Sequence, residues 1–163
     1  MHQPIFMTRS AHLSLQVACL LLLALCTEAA SVAADAPRDP QIPTRQLINP
    51  EELSTLLKSQ KPLLLHVGFS AMYQQAHIPG SEYIGATSSP GGLDALRTRV
   101  KGLPKDSLIA IYCGCCPWER CPNVRPAFKQ LRNLGYTNVR VLYIANNFGA
   151  DWVDKGYPTA KGE

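Results

Sequence analysis

The chain has 163 residues, 46% hydrophobic and 17% charged, with a net charge of +4. That length and mixture suit one folded domain and exclude a disordered chain. The basic residues are scattered, and the nearest thing to a cluster (Arg97, Arg99, Lys101, Lys105) reads as a solvated helix face; with no basic stripe interleaved with aromatics, no nucleic-acid partner is expected.

Arg9 and His12 precede an apolar run, "LSLQVACLLLLALC", at residues 13–26. It is short for a membrane span and suits the core of an export signal. Ser31-Val32-Ala33 or Val32-Ala33-Ala34 would serve a signal peptidase; an uncleaved anchor is the alternative, and Leu25 is too bulky for a lipoprotein site at Cys26. We expect a signal peptide over 1–34, a proline-rich linker over 35–43 and a domain over 44–160. The expected location is periplasmic or secreted, with no membrane contact once the signal is removed. Cleavage would discard Cys19 and Cys26 and leave Cys113, Cys115, Cys116 and Cys121.

"TRQLI" from Thr44 reads as a short first strand. Asn49, Pro50, Glu51 and Glu52 form a helix start, with a capping side chain, proline in the first turn and acids at the positive end of the dipole. Leu53, Leu56 and Leu57 give that helix an apolar face ending near Lys58. "PLLLHVG" is a continuous apolar run, the signature of a strand covered on both faces. "SAMYQQA" is a short helical stretch, and "HIPGSEYIG" a turn followed by a short strand near Tyr83 and Ile84. After Pro90-Gly91-Gly92, Leu93, Leu96 and Val100 mark a helix stopped by Gly102 and Pro104. "SLIAIYC" is a second buried strand, from Leu108 to Tyr112. Beyond Asn123, Val124, Phe128, Leu131 and Leu134 line one side of a helix in which Pro126 must occupy the first turn. "NVRVLYI" is a further strand and "GADWVDKG" a last short helix. The alternation predicts an α/β fold: an open parallel sheet of about five strands with helices on both faces.

The loop "YCGCCPWERCPN" holds four thiols within nine positions, so any bridge inside it closes a tiny ring and restrains little of the unfolded chain. It starts at the carboxyl end of a buried strand and runs into a helix start, which is where open α/β sheets bind ligands. Unpaired amides, the helix dipole, Arg120 and Arg125 all favour thiolate over thiol and would hold an anion. The segment therefore reads as a nucleophilic sulfur site facing an anionic substrate.

The order of these motifs, "LLLHV", "SAMYQQA", "HIPGS", "LIAIYC", "FKQLRNLGYTNV" and "GADWVDKGYP", resembles a single rhodanese-like (sulfurtransferase) domain over about Thr44 to Pro158. The resemblance implies transfer of sulfane sulfur from a small anionic donor, thiosulfate or a persulfide, through a cysteine persulfide to a thiol or cyanide. No cofactor and no metal are implied. By strand position the nucleophile is Cys113, with Gly114 and the loop amides cradling the persulfide and an arginine balancing its charge. The family's arginine commonly falls five places after the cysteine, and counting back five from Arg120 reaches Cys115 instead. Cys115 and Cys116 therefore stand as alternative nucleophiles or as resolving thiols. The chain also departs from the family at His66 and Gly68, where an acid and an arginine are common, and at Asn146 and Asn147 in place of a glycine pair. His66 would face Cys113 as an imidazolium, a Cys–His arrangement. Trp118 and Arg125 complete the expected substrate-binding set.

Two other functions use the same residues. Cys113-Gly114-Cys115-Cys116 is a C-x-x-C pair for thiol–disulfide exchange, which would bring in a redox partner protein. The four cysteines with His66 form a soft-metal set for copper(I) or zinc. A module without catalysis that only recognises a partner is the remaining alternative.

Overall fold

A computed structural model of the protein describes residues 39–162. The expected signal peptide and the first part of the linker lie outside the described residues. Five parallel strands, β1 (Leu47–Ile48), β2 (Leu63–His66), β3 (Glu82–Tyr83), β4 (Ile109–Tyr112) and β5 (Val139–Leu142), stand in the order β1-β5-β4-β2-β3. The central strand β4 is buried at every position, as its unbroken apolar sequence requires. Among the described residues no helix is long and apolar enough to cross a membrane.

Side chains alternate across the sheet and divide the core in two. On one face Ile109, Ile111 and Cys113 pack with Leu96 and Val100 of helix α3 (Pro90–Val100) and with Ala127, Phe128 and Leu131 of helix α4 (Val124–Asn133). On the other face Ala110 and Tyr112 pack with Leu53 of helix α1 (Pro50–Ser59), Ile78 and Trp152. Helix α2 (Ser70–Gln75) links β2 to the His77–Ser81 turn. The two helical layers are those the alternating pattern predicts.

The start of α1 follows its sequence signature. The Asn49 side chain accepts the Glu52 N–H at 2.8 Å, and the Glu52 carboxylate accepts the Asn49 N–H at 2.8 Å. Such a cap contributes about 1 kcal/mol. Other boundaries moved. Thr44–Gln46 is a 3-10 turn, and only Leu47 and Ile48 pair as strand. Helix α3 begins at Pro90 rather than after Gly92, because the Ser89 hydroxyl accepts the Gly92 N–H at 3.3 Å. A side chain at Gly92 would meet the Ala86 carbonyl oxygen at 2.2 Å, so glycine is needed there. The last helix is a single wide turn, Gly149–Val153, closed by the Asp154 N–H on the Gly149 carbonyl at 2.8 Å. From the expected linker, Ile42 is fully buried in the core and Asp39 is tied to Arg125.

Candidate functional site

Strand β4 carries its alternation one residue past its end, so Cys113 points into the α3/α4 layer and is 2% exposed. Gly114 then takes φ +72°, which turns the chain away from the sheet. A Cβ there would strike Phe148 Cβ at 2.7 Å, so only glycine lets the loop lie so close to the segment after β5. That segment holds the loop at two points: the Phe148 N–H reaches the Gly114 carbonyl and the Trp118 N–H the Ala145 carbonyl, each at 3.0 Å. A 3-10 turn, Trp118–Arg120, precedes Cys121 and the start of α4.

The bend gathers the sulfurs. Cys113, Cys115 and Cys121 have their Sγ atoms within 4.8 Å of one another, and Cys115 Sγ lies 3.1 Å from Cys116 Sγ. All four thiols are free. Cys113 and Cys121 are buried and Cys115 and Cys116 half-buried. Cys116 is not a member of the three-sulfur group and adjoins it through Cys115. Among the described residues that triangle is also the one group spaced to hold a metal ion, and the soft thiolates would suit a soft one.

Charge settles differently from what strand register suggests. The Cys113 thiol is pushed up because it donates to Cys115 and to Cys121 and is buried. Cys115, receiving the Cys113 proton and resisting burial, is lowered to about 6. Cys121 is lowered to about 7, chiefly by the Cys113 thiol, against the cost of burial and with help from the backbone amides of Asn123 and Val124. Cys116 is raised to about 12 by burial and by donation to Cys115. Cys113 thus holds its proton, ionisation is favoured at Cys115 and Cys121, and of these two Cys115 is the one half-buried rather than buried.

The packing around Cys113 is tight and polar on one side. The Asn123 Nδ2–H donates to Cys113 Sγ at 3.4 Å. Asn123 is fully buried, and its amide cannot turn over, because Oδ1 accepts the Ser88 N–H at 3.0 Å. The Thr87 hydroxyl also donates to its carbonyl at 2.7 Å. On the opposite side, a Cβ on Gly68 would sit 2.7 Å from Cys113 Sγ and 3.0 Å from His66 Cε1.

His66 does not form the expected ion pair with a thiolate. The Gly68 N–H points at its Nδ1 at 3.4 Å, which leaves Nε2 to donate to the Cys113 carbonyl at 3.2 Å. Enclosed by the rings of Tyr73, Tyr83 and Tyr112, with centroids 5.4, 6.0 and 5.0 Å away, it is 1% exposed. Burial lowers its pKa to about 4, so it is neutral at physiological pH and positions the strand end rather than supplying charge.

The other expected site residues divide similarly. Arg120 is exposed beside the loop, with no ion-pair partner among the described residues. Arg125 is committed elsewhere: its Nε meets Asp39 Oδ2 at 2.9 Å, and its Nη1 donates to the carbonyls of Trp118 and Cys121 at 3.3 and 3.2 Å. Trp118 is core, 3% exposed beneath the loop, between Tyr143 and the Arg125 guanidinium. The sequence reading gave Cys121 a place only in the soft-metal set, and Asn123 only as a helix start. The usable signals were a fourth thiol at the mouth of a helix and a short amide side chain at that helix's cap.

A family model described as the rhodanese-like domain matches residues 49–143. The Alr3790 protein from Anabaena sp. is 22% identical with a TM-score of 0.53, over 71% of this chain and 92% of that one. Protein hp1203 from Helicobacter pylori is 18% identical with a TM-score of 0.52, over 72% and 91%. The wild-type structure of EanB is 25% identical with a TM-score of 0.50, over 71% of this chain and 27% of that one. A search of curated protein sequences finds no match.

Proposed function

The chain belongs to the rhodanese-like domain family, and from that premise we propose that it is a sulfurtransferase that carries sulfane sulfur on Cys115. The observation that carries this reading is the three-sulfur cluster, in which a buried Cys113 thiol donates to a half-buried Cys115 held near pKa 6. A thiolate is the attacking form of a cysteine, so Cys115 is armed at neutral pH and Cys113 is not.

With thiosulfate as donor, Cys115 Sγ attacks the outer sulfur. The donor's S–S bond breaks, and sulfite leaves with the bonding pair. The product is a Cys115 persulfide, whose terminal sulfur a thiol or cyanide then removes, returning Cys115 as thiolate. Arg120, exposed in the same loop and without an ion-pair partner among the described residues, is a cation available to the anionic donor. The apolar run of residues 13–26 supports a periplasmic or secreted setting, where small sulfur anions and thiols are the partners.

The test is intact-mass analysis of the reduced chain after thiosulfate treatment. Sulfite release and an adduct of about +32 Da, mapped to Cys115 at short times and removed by cyanide, are expected. An adduct confined to Cys113 overturns the choice of nucleophile, and the absence of both an adduct and discharge of any sulfane donor overturns the function. The soft-metal reading rests on the same sulfur triangle. It would be favoured by a metal that survives dialysis and leaves the thiols inert to alkylation.

A further inference from the structure

We infer that the chain resolves its own persulfide: Cys121 attacks Cys115 Sγ, closes a Cys115–Cys121 disulfide and expels the carried sulfur as sulfide. This rests on the proposed loading of Cys115 and goes beyond it, because it adds a product and a partner class. A carrier that only hands sulfur to an external thiol has no use for a second ionisable sulfur beside the first. Here the two lie within 4.8 Å of each other, bracketing the thiol of Cys113.

Geometry selects Cys121 over its neighbours. Cys116 is nearer to Cys115, at 3.1 Å between sulfurs. Yet adjacent Cα atoms are only about 3.8 Å apart, below the roughly 4.4–6.8 Å that a disulfide spans. Cys113 is the least exposed of the four and is fixed at the end of β4, where the Asn123 Nδ2–H donates to its sulfur at 3.4 Å. Cys121 is not adjacent to Cys115 in the chain, lies between the 3-10 turn and the start of α4, and has its sulfur within 4.8 Å of Cys115 Sγ. The chain between the two cysteines contains one short 3-10 turn, and closing the bond brings the sulfurs from within 4.8 Å to about 2.05 Å.

The step balances. The Cys115 Sγ–S bond of the persulfide breaks as the Cys115 Sγ–Cys121 Sγ bond forms. The outer sulfur leaves with the bonding pair and takes the Cys113 proton, departing as hydrosulfide; water restores that proton. The expelled sulfur is reduced and Cys121 oxidised. A second turnover needs a dithiol, which opens the disulfide by exchange and leaves as its own disulfide. Without a dithiol the reaction stops after one turnover.

The experiment uses the full chain, reduced and freed of reductant, then given thiosulfate and quenched with an alkylating agent. Expected are about one sulfide released per chain and two fewer alkyl groups than on the equally quenched reduced control. Trypsin cuts after Arg120, so the disulfide should join the tryptic peptides 106–120 and 121–129. Adding dithiothreitol should make sulfide release continuous. Cys121→Ser should retain the +32 Da adduct and release at least tenfold less sulfide. Wild-type protein that keeps a stable +32 Da adduct, with no cross-linked peptide and no sulfide, overturns this inference and leaves sulfur loading standing. Absence of adduct, cross-link and sulfide together overturns the loading and this inference with it. Undiminished sulfide release from Cys121→Ser overturns the role of Cys121. The peptide map of the wild-type chain decides the matter should that variant fold poorly.

Discussion

Cys113→Ala removes one of the two thiols set beside Cys115, the other being Cys116. Donation from Cys113 is the largest cause of the lowered Cys115 pKa, which falls from 9.0 to about 6 while burial opposes it. Without that donor, Cys116 remains beside Cys115 at 3.1 Å and keeps part of the effect. We expect the midpoint for Cys115 to rise to roughly 7.5. At pH 7 its thiolate fraction then drops from about nine-tenths to about a quarter. Greater nucleophilicity of the more basic thiolate offsets part of the loss in rate. Cys113→Ser is the control, because a hydroxyl in the same place still donates and should hold the midpoint within about half a pH unit of the parent's. The assay is the rate of iodoacetamide labelling at Cys115 against pH, followed by peptide mass. A midpoint that stays near 6 in Cys113→Ala would refute the claim that Cys113 governs the site. The truncation also leaves a small void in the core, worth about 1 kcal/mol, so thermal unfolding should accompany the titration.

Gly68→Ala places a methyl 2.7 Å from Cys113 Sγ, and the sulfur cluster must shift. Thiosulfate-dependent cyanide conversion should fall at least tenfold, with a stability loss of about 1–3 kcal/mol by urea unfolding. His66 has a folded pKa near 4 against 6.5 unfolded, so the unfolded chain binds more protons and stability falls as pH drops from about 6.5 to 4. The loss should amount to about 3 kcal/mol across that window and be absent from the pH profile of His66→Gln; parallel profiles for the two proteins would contradict it. Arg125→Ala strands the buried Asp39 carboxylate and frees two loop carbonyls. A stability loss of about 3 kcal/mol is expected by calorimetry, and Arg125→Lys should recover little of it, because an ammonium cannot make all three contacts in that geometry.

The expected layers and most elements are present because they depend on local chemistry. The run at Leu63–His66 and the run at Ile109–Tyr112 are apolar at successive positions, and only a strand covered on both faces has that need. Asn49 with Pro50 and Glu52 specifies a helix start without reference to anything distant. Boundaries differ where one side-chain capping hydrogen bond decides them, as at Ser89. Arg125 could not be placed from the sequence, because its partner Asp39 is 86 positions away and its charge suits an anionic substrate equally well. Trp118 has the same ambiguity, since an indole can line a pocket or fill a core.

The amino-acid order by itself determined that a thiol-rich loop follows a buried strand and meets a helix start, since hydrophobic runs, caps and turn residues act over a few positions. It did not determine which sulfur bears the charge. That depends on distances between Cys113, Cys115 and Cys121, on the buried amide of Asn123 and on the enclosure of His66. Ionisation responds to every dipole and charge within a few ångströms and to the water excluded from that space, and only the folded chain brings those groups together.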